Sequence, residues 1–427
     1  MSSPGTRTQR AALLAIGDEV LRGEVVNTNC TFIADRLFEA GFTVSEQVVV
    51  SDDPVDIRAA LVRLRASADV IVATGGLGPT EDDRTVDVVA DIFGTGTVPD
   101  EPSLGAMKKR FATHGFELTP NNLRQVRIPV GAKALANTAG IAPGFVVRLG
   151  GADAYFLPGV PREMERMFLD EVMPRLAVHL AEAGVPRAAV RTWHVYGMGE
   201  SHIDHRLAGL LTGVQGATLH FRTSHPVNHV KVVVRGKSVE EEQATLERID
   251  GELRKRIGPG IYAVDGASFP GAVAKSLRAQ EPPATLAIAE SCTGGLAGQL
   301  VTSEPGSSEF FRGSIVAYAD EVKMGVLGVK SETLADFGAV SEPVAREMAE
   351  GAKRVCGSSV AVAITGVAGP GGGTPDKPVG TVCFAVCGPG TTRTSTKLFA
   401  GNRERVRMAA AYYALDLARR YFDTRKR

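Results

Sequence analysis

Val70-Ile71-Val72-Ala73-Thr74-Gly75-Gly76-Leu77-Gly78-Pro79-Thr80-Glu81-Asp82-Asp83-Arg84-Thr85 is the stretch that decides the fold class. A short apolar run enters a glycine-rich turn, and residues 86–93 continue as a helical pattern. Strand, glycine loop and helix in that order make a phosphate-binding geometry, because bare glycine N–H groups and the helix N-terminus face the same ligand. The glycines spell neither GxGxxG nor the P-loop pattern, so neither of those nucleotide-binding folds is implied. Asp82 and Asp83 beside such a cradle would repel a phosphate unless a hard divalent cation such as Mg²⁺ lies between them. The alternative is that the two acids only favour the helix N-terminus.

Outward from this loop the chain alternates strand-like runs (11–16, 43–50, 70–73) with helical patterns (31–40, 54–65). That alternation means βαβ units on a parallel sheet. Pro120, Pro129, Pro143, Pro158 and Pro161 then mark a loop-rich segment that resumes as a helix near 163–169, closing a first domain over 10–172. Residues 173–262 differ: helix-like runs at 173–183, 201–211 and 239–257 flank strand-like ones at 189–195 and 229–234, a small α+β connector. His194, His202, His205, His220, His225 and His229 gather there, and His202 with His205 can share a helix face. No carboxylate or Cys completes a ligand spacing among them, so no functional metal is expected. The third domain, 267–425, is again α/β, with a helix at 269–280, strands at 285–289, 313–317, 359–364 and 380–386, and a last helix at 404–422.

Three domains suit a chain of 427 residues, which exceeds what one core usually serves. Lys plus Arg and Asp plus Glu both number 48, so no global field draws in nucleic acid or an anionic membrane. The five cysteines are too few and too scattered for a disulfide framework and are expected to be reduced. Cys383 and Cys387 fall on one face of a strand, where burial is expected. Residues 1–10 lack the apolar core of a signal peptide and no run approaches a membrane span, so the cytoplasm is the expected location.

A second chemical site is spread over the third domain. The strand at 285–289 ends in Glu290-Ser291-Cys292-Thr293-Gly294-Gly295, with Ser291 placed as an N-cap for the helix that follows. Gly306-Ser307-Ser308 comes next, then Tyr318-Ala319-Asp320-Glu321-Val322-Lys323. A Ser with a Lys and a Tyr forms a nucleophile set when the Lys is desolvated and accepts the hydroxyl proton. Thr365-Gly366-Val367-Ala368-Gly369-Pro370-Gly371-Gly372-Gly373 follows the strand at 359–364 and exposes several N–H donors, suited to a phosphate or a developing oxyanion, or forms a flexible surface loop. Arg403, Arg405 and Arg407 open the last helix, where an Arg clamps phosphate or is simply solvated.

With these motifs in place, a resemblance becomes specific. Gly17-Asp18-Glu19-Val20-Leu21-Arg22-Gly23, Asn27-Thr28-Asn29, the loop at 74–85 and Leu157-Pro158-Gly159-Val160-Pro161-Arg162-Glu163-Met164 resemble the N-terminal domain of the CinA (competence/damage-inducible) family. The same domain looks like the three-layer molybdopterin-binding fold. The resemblance implies metal-dependent cleavage of ADP-ribose to AMP and ribose 5-phosphate, with a divalent cation, Mg²⁺ or similar, held by Asp18, Asp82 and Asp83. Gly75, Gly76, Gly78, Thr80 and Asn27 would then face the substrate. One departure is Asn137-Thr138-Ala139-Gly140-Ile141-Ala142-Pro143-Gly144, where the family pattern reads Asn-Pro-Asn-Gly-Thr-Ala-Pro-Gly. The second Asn and the Thr hydroxyl are missing.

Residues 269–422 are similar to the family's C-terminal domain, also found alone as nicotinamide mononucleotide deamidase. That likeness implies Ser308 as nucleophile, Lys323 and Tyr318 as its activators, and Ser291, Thr365 and Arg405 as substrate-positioning groups, with Gly366, Gly369 and Gly371 lining the donor loop and no metal or other cofactor. The family also implies a homodimer. Ala319-Asp320 stands where the family often has Ser-Asn. The rival expectation is a scaffold whose first domain binds a nucleotide or pterin without turnover.

Overall fold

The computed structural model describes residues 9–185, 188–236 and 238–422; the first eight residues of the polar N-terminus and positions 423–425 of the expected third domain lie outside the described residues. The described chain forms two compact units, one running to Val190 and including Val233–Leu246, the other comprising Arg191–Val232 and the chain from Glu247 onward.

In the first unit the strands are β1 (Arg10–Ile16), β2 (Thr43–Val50), β3 (Val70–Thr74), β4 (Thr97–Pro99), β5 (Arg127–Pro129), β6 (Lys133–Leu135), β7 (Gly144–Leu149) and β8 (Ala152–Leu157). Six of them build one sheet in the order β2-β1-β3-β8-β7-β6, while β4 and β5 pair separately. β1, β2, β3 and β8 run parallel, and β7 and β6 are antiparallel additions at one edge. Alternation along β1 sends Ala12, Leu14 and Ile16 into one core and Ala11, Leu13 and Ala15 into the other. A strand buried on both faces needs helices on both, which is the three-layer arrangement. Ile57, Leu61 and Leu64 of the helix Pro54–Leu64 cover one face, and Ile33 and Leu37 of the helix Thr28–Ala40 cover the other. Each such buried side chain contributes about 1.5–3 kcal/mol. The helix Met173–Glu182, expected to open the connector, buries Leu176 and Leu180 in this second core. The proline-rich segment read as loop holds β5 to β8, because Gly150 turns two apolar strands back on each other in a hairpin at a φ of +63°.

The middle sheet has β9 (Ala189–Tyr196), β10 (Ala217–Ser224), β11 (Val227–Val234) and β12 (Ile261–Val264) in the order β10-β11-β9-β12, with helices Glu200–Leu207 and Val239–Ile257. Trp193 is fully buried, and its indole N–H donates to Asp250 Oδ1 at 2.6 Å, tying β9 to the long helix.

The C-terminal sheet comprises β13 (Leu286–Glu290), β14 (Phe311–Val316), β15 (Val360–Gly366), β16 (Thr381–Gly388) and β17 (Thr391–Leu398), ordered β14-β13-β15-β16-β17. β14, β13 and β15 are parallel, and β16 and β17 are antiparallel. Leu286 and Ile288 point into the core under the helices Phe269–Arg278 and Arg403–Arg420. Ala287 and Ala289 point to the helix Glu342–Cys356, whose Val344, Ala345, Met348, Ala349 and Ala352 form its apolar stripe. Cys383 and Cys387 are buried together in that second core, as their spacing predicts. Among the described residues no helix is long and apolar enough to cross a membrane.

Candidate functional sites

In the first unit the glycine loop leaves β3 in a conformation only glycine allows. Gly75 has φ +106°, and a Cβ there would stand 2.0 Å from the Ile16 carbonyl oxygen. A Cβ on Gly78 would meet Asp83 Oδ2 at 2.6 Å. The loop therefore packs against the end of β1 on one side and against its own aspartate on the other. Asp83 Oδ2 accepts from the Thr80 N–H at 2.8 Å and the Thr80 hydroxyl at 2.6 Å, so one carboxylate oxygen holds the loop's shape.

A cavity of about 450 Å³ opens over this loop, and Gly75, Gly76, Gly78, Thr80, Asn27, Asp82 and Asp83 all line it. Asn27 also caps the next helix, accepting from the Cys30 N–H at 3.0 Å. Asp18 is turned to the Arg22 guanidinium and is not among the lining residues. Asp52 and Glu19, which the sequence reading did not select, are. Burial raises the Asp52 carboxyl above its ordinary value; the Asp18 N–H opposes that shift, and repulsion from Glu19, Asp18 and Asp82 adds to it. Asn29 lies deeper: its amide donates to the Thr74 hydroxyl at 3.0 Å and the Gly159 carbonyl at 2.8 Å, which leaves its buried Oδ1 without a partner. No group of three or more His, Cys, Asp or Glu is already drawn together as a ligand shell among the described residues. The donors that face the cavity are nonetheless hard carboxylate oxygens, whose mutual repulsion a Mg²⁺-class cation relieves.

The departing loop at 137–144 closes on itself. Asn137 accepts from the Ala139 and Gly140 N–H groups at 3.1 and 2.7 Å and donates to the Ala142 carbonyl and Glu163 Oε2 at 2.8 and 2.7 Å. Its one remaining Asn side chain thus holds the loop to the helix Pro161–Met167.

In the second unit β13 and β14 end level, with Glu290 opposite Val316, and β15 runs two residues further, past Ile364 opposite Glu290. Three motifs meet at this carboxyl end of the parallel strands, where α/β folds place their ligands. Ser291 does not cap the helix Leu296–Thr302; Glu290 does this instead. Its fully buried carboxylate accepts from the N–H groups of Gly295, Ala297 and Gly298 at 3.0, 3.1 and 2.9 Å and from the Ser314 hydroxyl at 2.7 Å. A carboxylate can accept four such bonds, and at a helix N-terminus it also meets the positive end of the dipole. Ser291 remains at the strand tip, its N–H bonded to the Ile364 carbonyl at 2.9 Å. Burial pushes the neighbouring Cys292 thiol up to about 12, which removes it as a nucleophile. The Thr293 hydroxyl is buried without a partner.

Lys323 is 2% exposed, and its side-chain nitrogen donates to the Tyr318 carbonyl at 3.1 Å and to Asp320 Oδ1 at 2.9 Å. Tyr318 projects outward, 61% exposed, and its hydroxyl accepts from Arg403 Nη2 at 3.3 Å. Arg403 Nη1 donates to the Gly369 carbonyl at 2.7 Å, and Arg407 Nη2 donates to the Thr293 carbonyl at 2.7 Å. Two arginines one turn apart therefore reach into the site, while Arg405, between them, is exposed and bonds through its backbone to Asn402. Thr365 is buried and donates to the Ala339 carbonyl at 2.7 Å, so its hydroxyl fixes the loop base. Gly366 and Gly369 are required by space, since a Cβ would meet the Thr381 carbonyl oxygen at 2.7 Å and Val379 Cγ1 at 2.6 Å; Gly371 faces open space.

Ser308 is not at this end. It sits exposed in the turn Ser307–Glu309 that precedes β14, where the Phe310 carbonyl accepts from the Leu286 N–H at the start of β13. The six residues of β14 then carry the chain to the edge that bears Tyr318 and Lys323, a separation on the order of 20 Å. The sequence spacing brings Tyr318 and Lys323 together, and it does not bring Ser308 to them within one chain.

Comparison with known proteins fits this layout. A family model described as the CinA C-terminal domain matches residues 268–422, one described as a probable molybdopterin binding domain matches 12–178, and one described as the damage-inducible protein CinA KH domain matches 190–263. A CinA-like protein from Anaeromyxobacter sp. (strain Fw109-5) is 42% identical over 409 residues, covering 95% of this chain and 98% of that protein. A protein named putative competence-damage inducible protein from Symbiobacterium thermophilum is 40% identical over 422 residues, covering 96% and 98%. Among solved structures, the protein CinA from Thermoplasma acidophilum, titled as of unknown function, aligns at 36% identity over 40% of this chain and 98% of that one, with a TM-score of 0.37. With relatives of this identity matched along nearly their whole length, and with three domain models following one another in this order, the chain belongs to the CinA family.

Proposed function

We propose that the C-terminal domain is an amidohydrolase that converts nicotinamide mononucleotide to nicotinic acid mononucleotide and ammonia. The observation that carries this reading is the convergence of Arg403, Arg407, Tyr318, buried Lys323 and the glycine-rich 366–373 loop at one end of the sheet. The two guanidinium groups supply charge for the ligand phosphate, and loop N–H groups supply donors for the oxyanion formed at the carboxamide carbon. A serine hydroxyl, Ser308 by family resemblance, attacks that carbon as Lys323 takes its proton. The C–N bond then breaks, ammonia leaves with the added proton, and water hydrolyses the ester to release the acid and restore the serine. No metal enters this sequence.

In the N-terminal domain the same proposal assigns ADP-ribose cleavage to AMP and ribose 5-phosphate. Asp52, Asp82, Asp83 and Glu19 would hold a divalent cation there, and the cation would neutralise diphosphate charge. The loop N–H groups of Gly76, Leu77 and Gly78, which the Thr80–Asp83 bonds leave to the cavity side, orient the diphosphate. Incubation of the purified protein with nicotinamide mononucleotide, followed by an ammonia assay, tests the first assignment. Incubation with ADP-ribose and Mg²⁺, followed by detection of AMP, tests the second. Binding of either nucleotide without turnover would instead support a scaffold role for that domain.

A further inference from the structure

Ser308 and the Tyr318–Lys323 turn stand at opposite ends of β14, and β14 is the edge strand of its sheet. We propose that the deamidase site is shared between two copies of this chain, the Ser308 of one copy completing the Tyr318, Lys323 and Arg403 cluster of the other. This rests on the amidohydrolase reading above and on Ser308 as its nucleophile.

A two-fold axis beside an edge strand and perpendicular to it sets the two copies of that strand antiparallel, so the start of each lies next to the end of its mate. The ends that meet are the ones carrying the separated groups. The axis that sets Ser308 against Tyr318 passes midway between them, at residue 313. Gly313 is the only position in β14 without a side chain, and a Cβ there would have just Cys356 Sγ within 4 Å, at 3.9 Å. Two backbones can thus approach closest where the symmetry requires it. Both partners are also available at the surface: Ser308 is exposed, Tyr318 is 61% exposed, and Val316 at the end of the strand is 46% exposed. One contact repeated by symmetry gives two complete sites per dimer, and a single copy has none.

Two measurements on the full chain test this. In a Cys356→Ser background, the double variant Ser308→Cys, Tyr318→Cys is treated with a short bis-maleimide. A covalent dimer on a denaturing gel is expected, while each single variant stays monomeric because like residues sit at opposite ends of the interface. A double variant that stays monomeric overturns the proposal. Subunit mixing provides the second measurement. Ser308→Ala and Lys323→Met are each expected to be inactive on nicotinamide mononucleotide. Co-expressed, they should regain about one quarter of wild-type turnover, since half the dimers are mixed and each mixed dimer has one intact site. No recovery on mixing means that both groups act from one chain, and near-normal turnover in Ser308→Ala alone means that Ser308 is not the nucleophile; either result sinks the shared site. Wild-type protein that releases no ammonia would defeat the amidohydrolase reading, and the cross-link would still report whether the two ends meet.

Discussion

Arg403 and Tyr318, 85 residues apart in sequence, are joined by a 3.3 Å hydrogen bond from the guanidinium to the phenol oxygen, while the same guanidinium holds the Gly369 carbonyl. Because the phenol oxygen accepts from Arg403, its own O–H is free to point away from the arginine, toward a ligand. One side chain thereby sets the position of a hydroxyl and of the glycine-rich loop together.

Arg403→Lys should therefore lower kcat for nicotinamide mononucleotide by about 10- to 100-fold, because an ammonium cannot span both partners and a small misplacement is costly. Arg405→Lys, at an exposed position, should stay within about 2-fold of wild type, in line with the small effects of surface changes. Steady-state kinetics on both variants decide this, and equal losses would count against the distinction.

Lys323 acts as a base in the proposed chemistry, and Arg cannot replace it because guanidinium stays protonated in proteins. Lys323→Arg should lose turnover by about 10²-fold or more, comparable to Ser308→Ala, with the double variant little worse than either single. If Lys323 only attracted the phosphate, the damage would fall on KM, and a near-normal kcat would rule out the base.

Asp83→Ala should abolish ADP-ribose cleavage and leave deamidation intact, since the two sites lie in separate units. Asp52→Asn separates charge from loop shape. The Asp52 carboxyl is raised, so between its unfolded and folded values the native state holds a proton that the unfolded chain has lost, and stability falls as pH rises through that interval. At pH 7 the substitution should raise the melting temperature by about 1–3 °C. That gain should vanish below the ordinary aspartate range, and the stabilisation that Mg²⁺ gives the wild type should shrink in the variant. Thermal melts across pH, with and without Mg²⁺, test all three outcomes.

On the middle sheet, His194 Nδ1 and His229 Nδ1 are 2.9 Å apart. Burial lowers His229 to about 4, and His194, Arg222 and Lys231 push the same way; burial also lowers His194, against the pull of Asp265. A proton that the unfolded chain binds near the ordinary histidine value is refused by the native pair. Stability is therefore lost as pH falls from about 6.5 toward 4. His229→Gln should flatten that loss in melts taken from pH 7 to pH 5, and an unchanged slope would show that the pair does not control it.

Much of this architecture was legible in the sequence because apolar periodicity and glycine position are local. β1, β2 and β3 and the long helix Val239–Ile257 fall where alternation and the 3.6-residue repeat place them. The helix Glu342–Cys356 carries signals just as local: Ser341 caps it, Pro343 stands in its first turn, and Val344, Ala345, Met348, Ala349 and Ala352 repeat at three and four. β17, Thr-Thr-Arg-Thr-Ser-Thr-Lys-Leu, gives little hydrophobic signal because it is a half-exposed edge strand. The candidate sites were harder, for a geometric reason. Motif order placed Ser308 ten residues before Tyr318, yet a strand lies between them and reverses their proximity. The choice among Arg403, Arg405 and Arg407 needed the helix phase against a loop whose position no local pattern fixes.

The Glu290 carboxylate, with four donors around it, leaves the tip of β13 no slack. Its bonds cross from one strand to the next helix and to the neighbouring strand, so the loop that bears Ser291 cannot loosen unless the sheet itself comes apart. Heat should therefore bring no softened, inactive form of this edge before the domain melts. The working temperature range of the site is then set by the core beneath it, and selection for a hardier active edge would act on the packing of β13 as much as on the residues that meet the ligand.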